Sequence, residues 1–222
     1  MISICTPIYN RKTIFEKFTI EIYKNINYPK EKMEWLIYDD SNEKEKLDIS
    51  IFDDLKNIKY FYNSEKKNIS EKRNFLNEKC KGDYIMYMDD DDFYEPNRIN
   101  YCLDLLKNSN KLIIGCSKLH IYYTHIKKTY ETRFIYKDHA TANTFFFKKE
   151  LLKITNFNNK DQYAEEKYFL NGYIIPMIQA DPSKILVVID HNNNTIDKKN
   201  LEKKLIKNTI PSKFIKIIHN FF

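Results

Sequence analysis

Glycine is nearly missing from this chain: three in 222 residues. The stretch "TPIYNRKT" near the start contains none. That speaks against the glycine-rich, basic phosphate loop with which nucleotidyltransferases usually open. Cysteine is limited to four, Cys5, Cys80, Cys102 and Cys116, widely spaced and with no CxxC pair. This argues against a disulfide framework and a structural zinc site, and suits a reducing compartment. No run reaches the eighteen or so apolar residues of a membrane helix. The opening "MISICTPIYN" lacks a basic leader and meets Pro7 too early for a signal peptide, so a cytoplasmic, soluble protein is expected. There is no internal repeat and no low-complexity linker. Despite a formal charge of +6, the lysines are scattered and form no basic stripe with interleaved aromatics, so nucleic acid is not an expected partner.

What is present is a globular composition, 42% hydrophobic and 15% aromatic, long enough to bury one core. The whole chain, 1–222, reads as one domain. Ile2 to Cys5 has the β-branched pattern of a strand. From Thr13 to Asn25 the apolar residues Ile14, Phe15, Phe18 and Ile22 share one helical face, and Pro29 follows the end. Further strands are expected at Trp35 to Tyr38, Ile58 to Asn63 and Tyr84 to Met88. Helices are expected from near Ser70, with Glu71 in the first turn, and from Pro96 to Leu106. That order implies a mostly parallel α/β sheet, in which ligands bind beyond the C-terminal strand ends. The second half reads as a strand at "LIIGCS", a hairpin about Lys127 and Lys128, a strand passing into a helix in "NTFFFKKELLKI", a short helix from Ala164, a strand running to Asp190 and His191, and a helical tail from Lys198.

The polar clusters all fall at the strand ends. "YIMYMDDDD" delivers four consecutive carboxylates, Asp89 to Asp92, directly from a buried strand. Such a run can be a solvated acidic loop, but adjacent carboxylates repel, and a rigid strand end fixes them in place. Clustered hard oxygen ligands there suit Mg²⁺ or Mn²⁺ held together with a substrate's phosphates. Asp39 and Asp40 end the preceding strand in "WLIYDDSN", a sequence that also suits an Asx-type turn. Carboxylates at that position can accept from a nucleobase imide or from ribose hydroxyls. "TPIYNR" brings Thr6 and the Tyr9 ring to the neighbouring strand end.

Taken in order, "TPIYNR", "WLIYDDSN" and "SEKRNFLNEKCKGDYIMYMDDDD" resemble the family 2 glycosyltransferases of the GT-A fold over roughly the first hundred residues. The resemblance implies a Rossmann-like, mixed but mostly parallel sheet flanked by helices. It implies a nucleotide-sugar half, 1–100, and an acceptor half, 101–222. It also implies a metal-dependent, inverting transfer from a UDP-sugar to a glycan or other hydroxyl-bearing acceptor. Thr6, Pro7, Tyr9, Arg11, Asp39, Asp40, Arg73, Asp89 and Asp90 would hold the nucleotide. Asp89 and Asp91, with His191 after "VVID", would hold Mn²⁺ or Mg²⁺. "QYAEEKYFL" is similar to the family's acidic helix start and places the catalytic base on Glu166, with Glu165 beside it on the acceptor side. A register shifted by one residue would exchange the two roles. "HATANT" stands where the family has a glycine-bearing acceptor loop, which puts Asn143 and Thr144 near the acceptor. The Q-x-x-R-W motif of processive synthases is absent. A sugar-nucleotide nucleotidyltransferase and a non-catalytic nucleotide-binding relative are the competing readings.

Overall fold

The pattern "ISICTPI" sends alternate side chains to opposite faces of a strand, and both faces are covered. In a computed structural model describing residues 1–159, 164–192 and 203–222, every residue of β1, Ile2–Ile8, is buried. The chain continues through α1 (Lys12–Ile14), a π-helical turn (Phe15–Thr19) and α2 (Ile20–Lys24) into β2 (Met33–Asp39) and β3 (Ile58–Tyr62). Next come α3 (Ile69–Lys79), β4 (Tyr84–Tyr87), β5 (Phe93–Tyr94), α4 (Arg98–Lys107), β6 (Ile113–Gly115), β7 (His120–Tyr123) and β8 (Lys128–Thr132). β9 (Phe146–Lys148), α5 (Glu165–Phe169), β10 (Ile178–Gln179), β11 (Leu186–Asp190), β12 (Lys203–Leu205) and α6 (Ser212–Phe221) complete it.

Seven strands form the central sheet in the order β10-β6-β9-β4-β1-β2-β3. All of its pairings are parallel except those of β9, which runs antiparallel to β4 and β6. On one face Trp35 stacks between Phe15 (5.3 Å) and Tyr23 (4.3 Å), which docks the α1–α2 helix. On the other, Cys5 and Leu36 pack with Leu76 of α3 and with Cys80 just after it. Asn68 and Glu71 close a reciprocal capping box that starts α3 one residue before the expected Ser70. A second sheet, β12-β8-β7-β11-β5, leans against the first. Phe214 of α6 meets Phe93 of β5 at 4.7 Å, and one apolar core runs from Ile4 and Trp35 through Phe93 and Leu186 to Phe214.

Three expectations need correction. The tail is not one helix from Lys198: β12 pairs with β8, α6 starts only at Ser212 after Pro211, and 193–202 lie outside the described residues. "KELLK", Lys149–Lys153, forms a 3-10 turn rather than an α-helix. The first helix is interrupted by a π-turn, which lets the Thr19 hydroxyl donate to the Asp90 carbonyl at 2.5 Å. Among the described residues no helix is long and apolar enough to cross a membrane.

Candidate active site

The C-terminal ends of β1, β2 and β4 lie side by side, so the three polar clusters meet. Pro7 sits where the β1–β4 pairing has already stopped at Cys5 and Tyr87, so its missing N–H leaves no ladder bond unmade. Beyond it Asn10, in the left-handed region at φ 51, donates its backbone N–H to Ser41 Oγ at 2.7 Å. Asn10 Oδ1 in turn accepts from Asn42 N at 3.0 Å. The two strand-end loops are thereby latched to each other. Tyr9 stays exposed at the rim, with the Lys66 ammonium 4.1 Å and the Lys72 ammonium 5.5 Å from its ring centre.

Several residues expected to face the nucleotide are turned inward. Thr6 Oγ1 accepts from the Trp35 indole at 2.8 Å, on the core side of the sheet. Asp39 is fully buried and accepts from Ser41 N (2.9 Å), Leu47 N (3.2 Å) and the Tyr60 hydroxyl (2.7 Å), so it holds the loop. Asp40 is also buried. One of its oxygens pairs with Lys72, whose ammonium further donates to Ile8 O, and the other accepts from Lys67 N at 2.7 Å. Burial pulls the Lys72 ammonium below its ordinary range, and Asp40 partly restores it. Asp40 is thus engaged within the protein instead of presenting a free carboxylate.

The aspartate tip is an electrostatically crowded site. Arg11 Nη1 spans Asp90 Oδ1 (2.7 Å) and Asp91 Oδ2 (2.6 Å). Tyr94 OH accepts from Asp89 N at 2.8 Å and fixes the turn. Burial raises the Asp89 carboxyl against the opposing pull of Arg73, and it pushes Asp90 up to about 7. Asp90 Oδ2 is buried with no hydrogen-bond partner among the described residues. Asp92 plays another part, accepting from Asn143 Nδ2 (2.7 Å) and Ile189 N (3.2 Å), so it ties β4 to the second sheet. His191, just past β11, brings Nε2 to 3.2 Å from Asp91 Oδ2, and its ring stacks on Phe222 at 4.4 Å. Asp91 and His191, a hundred positions apart, therefore meet.

This donor set fits a hard divalent cation. It offers carboxylates with one imidazole, the buried Asp90 Oδ2 lacks a hydrogen-bond partner among the described residues, and the cluster already draws a guanidinium. Among the described residues no three His, Cys, Asp or Glu side chains converge tightly enough to hold an ion alone.

On the acceptor side, Arg73 joins the halves. Its buried guanidinium donates to Asp89 Oδ1 (3.1 Å) and to Glu165 Oε1 (3.4 Å) over the face of Tyr87. So enclosed, Arg73 is a clamp between acids and not an arm reaching for a base or a phosphate. Its effect on the neighbouring glutamates is selective. Glu165 is arginine-paired, whereas burial and the adjacent Glu165 charge raise Glu166 to about 7. Asn143 and Thr144 are spent internally. Asn143 holds Asp92, while Thr144 is fully buried, donates to Thr141 O (2.6 Å) and accepts from Cys116 N (3.0 Å).

Sequence reasoning missed Lys72, Tyr94, Thr19 and Arg98. Arg98 is buried, donates to the carbonyls of Tyr87 (3.1 Å) and Phe145 (3.0 Å), and lies over the Tyr94 ring. Each sits in an ordinary helix or strand pattern, and only the fold brings it to the site.

Comparison with known proteins gives the family and the fold. The model for "Glycosyl transferase family 2" matches residues 3–174. An uncharacterized glycosyltransferase of Haemophilus influenzae is 28% identical over 108 residues, 48% of this chain and 42% of that protein. The crystal structure of S. aureus TarS 1-349 superposes with a TM-score of 0.68 at 14% identity, covering 85% of this chain and 60% of that one. TarS 1-349 has also been solved in complex with UDP-GlcNAc, and matches with a TM-score of 0.63 at 14% identity over 87% of this chain and 59% of that one. The mannosyltransferase PcManGT from Pyrobaculum calidifontis, in complex with GDP-Man and Mn²⁺, gives 0.63 at 14% identity over 90% of this chain and 58% of that one. The chain thus spans less than two thirds of the length of each of these relatives.

Proposed function

The chain belongs to glycosyl transferase family 2 and has the GT-A fold, and from that premise we propose that it transfers a sugar from a UDP-sugar to an acceptor hydroxyl, with inversion and with help from a divalent cation. The carrying observation is the Asp89–Arg73–Glu165 bridge, which sets the aspartate tip and the glutamate pair around a single buried arginine. A nucleotide-sugar donor is supported by solved relatives that hold UDP, UDP-GlcNAc or GDP-Man. The choice of uridine rests on the exposed Tyr9 ring, the likeness to TarS and the resemblance of "TPIYNR". The donor half is 1–100 and the acceptor half 101–222.

Glu166 is the base of this reading. Glu165 is engaged by the Arg73 guanidinium, whereas the Glu166 carboxylate, raised to about 7, is matched to neutral conditions. As the acceptor oxygen attacks the anomeric carbon, its proton passes to Glu166. The carbon–oxygen bond to the diphosphate breaks, and its electron pair leaves with UDP. One displacement inverts configuration. Asp89, Asp91 and His191 would hold Mn²⁺ or Mg²⁺, which supplies Lewis-acid stabilisation of the diphosphate's developing charge. Arg11 keeps Asp90 and Asp91 in position, and Arg73 keeps the base helix at a fixed distance from the tip.

A panel of UDP-, GDP- and CDP-sugars with Mn²⁺, read by slow hydrolysis to free nucleoside diphosphate, tests this. UDP release from a UDP-sugar, abolished by chelator, is expected. Preference for a GDP-sugar overturns the uridine assignment, and release of pyrophosphate from a sugar phosphate and UTP favours a nucleotidyltransferase instead.

A further inference from the structure

One feature near Glu166 is unused by this chemistry. Tyr136, Tyr173 and His139 form a closed ring cluster, with centroids 5.3 Å (Tyr136–Tyr173), 5.1 Å (His139–Tyr173) and 5.4 Å (Tyr136–His139) apart. Tyr136 is 41% exposed, and its neighbours Phe134 and Ile135 are exposed as well. Exposed apolar residues on a loop are usually mobile, but this loop is pinned. Ser117 Oγ accepts from Ile135 N at 2.9 Å, and Gln179 Nε2 donates to the carbonyls of Lys137 (2.9 Å) and His139 (2.7 Å). Asp138 Oδ1 accepts from Met177 N at 3.3 Å.

Tyr173 is held at a cost. It follows Asn171 (φ 50) and Gly172 (φ 72) in the left-handed region with φ 66, a conformation that is strained for a bulky side chain. Leu170 N donates to Glu166 O at 2.8 Å and Gly172 N to Lys167 O at 2.7 Å, so Tyr173 sits in the turn directly after the helix that carries Glu166; burial, then the charge of Glu166, pushes its phenol up to about 12. Neither phenol hydroxyl has a hydrogen-bond partner among the described residues.

Resting on the assignment of Glu166 as base, we propose that Tyr136 and Tyr173, with rings 80° apart, form an aromatic corner in which the exposed Tyr136 ring is the stacking platform that selects a pyranoside as the acceptor. A pyranose has a C–H face that packs against the negative face of an aromatic ring, and hydroxyls around its edge that meet phenol groups and a carboxylate. A serine side chain or an open-chain polyol has no such face. The platform thereby determines which hydroxyl carriers reach Glu166.

The test uses methyl gluco-, galacto- and mannopyranoside against glycerol and a serine-containing peptide, with the donor that the wild type hydrolyses. A methyl pyranoside is the expected acceptor. Tyr136→Ala should raise its KM by roughly 3–10-fold while kcat, UDP affinity and melting temperature stay near wild type. Tyr136→Trp should restore the KM. Transfer to glycerol or the peptide but to no pyranoside overturns the proposal, as does an unchanged KM in Tyr136→Ala. Should the wild type hydrolyse no sugar nucleotide, the function proposed above fails. The platform is then judged by saturation-transfer NMR: a methyl pyranoside signal lost in Tyr136→Ala sustains it, and an absent or unaltered signal overturns it.

Discussion

At the residue scale, neighbours decide what each acid does. The run Asp89 to Asp92 reads as four equivalent carboxylates, yet Arg11 takes two, Arg73 takes one, and Asp92 becomes a strut between sheets. The same logic separates Glu165 from Glu166 and makes the pH dependence specific. Glu166 works as the carboxylate, so kcat/KM should be low in acid and rise to a plateau above an inflection near 7, not near the ordinary value of 4.5. The sign in stability is opposite: a folded pKa above the unfolded one means Glu166's contribution weakens as pH rises from 4.5 to about 7. Glu166→Gln should lower turnover by about 10²–10⁴-fold and remove that inflection, with UDP affinity unchanged. An inactive Glu165→Gln beside a fully active Glu166→Gln would move the base by one residue.

At the element scale, the first hundred residues were legible because each strand is a short apolar run ended by a polar cluster, and parallel strands put those ends on one side. Thr6 turns toward the core because the β1 alternation that buries Ile4 and Ile8 also carries its hydroxyl to Trp35. The second sheet was harder to read, since β5, β7 and β11 pair across long separations and β12 is only three residues long. Buried Arg73, Arg98 and Lys72 left no sequence signal: a charge on a helix looks solvated until the fold supplies its partner. Glycine was legible only as a scarcity, and the structure gives the reason for Gly82. A Cβ there would lie 2.6 Å from Ser3 N and 2.8 Å from Met1 O, both backbone atoms. Gly82→Ala should therefore push β1 from β4 and cost about 1–3 kcal/mol in denaturant unfolding, with the midpoint falling and the slope unchanged.

At the scale of the whole molecule, the candidate ion site is built from both sheets. Asp89 and Asp91 follow β4 of the central sheet, whereas His191 follows β11 of the second and is backed by Phe222 beyond α6. An ion and a diphosphate bound there would bridge layers that separate on unfolding, so binding should be read out as global stability. Neither ligand alone completes the site: the described side chains gather no full ligand set, and a diphosphate without an ion meets the aspartates' negative charge. UDP and Mn²⁺ added together should raise the melting temperature by more than the sum of their separate effects. At about 100-fold over Kd the gain approaches roughly 2.7 kcal/mol. His191→Ala should shrink the joint effect, Asp91→Asn should abolish it, and chelator should return the wild type to its apo value. Equal stabilisation by UDP with Mn²⁺ and with chelator would show that nucleotide binding needs no ion, and that the guanidinium of Arg11, already set between Asp90 and Asp91, supplies the positive charge instead.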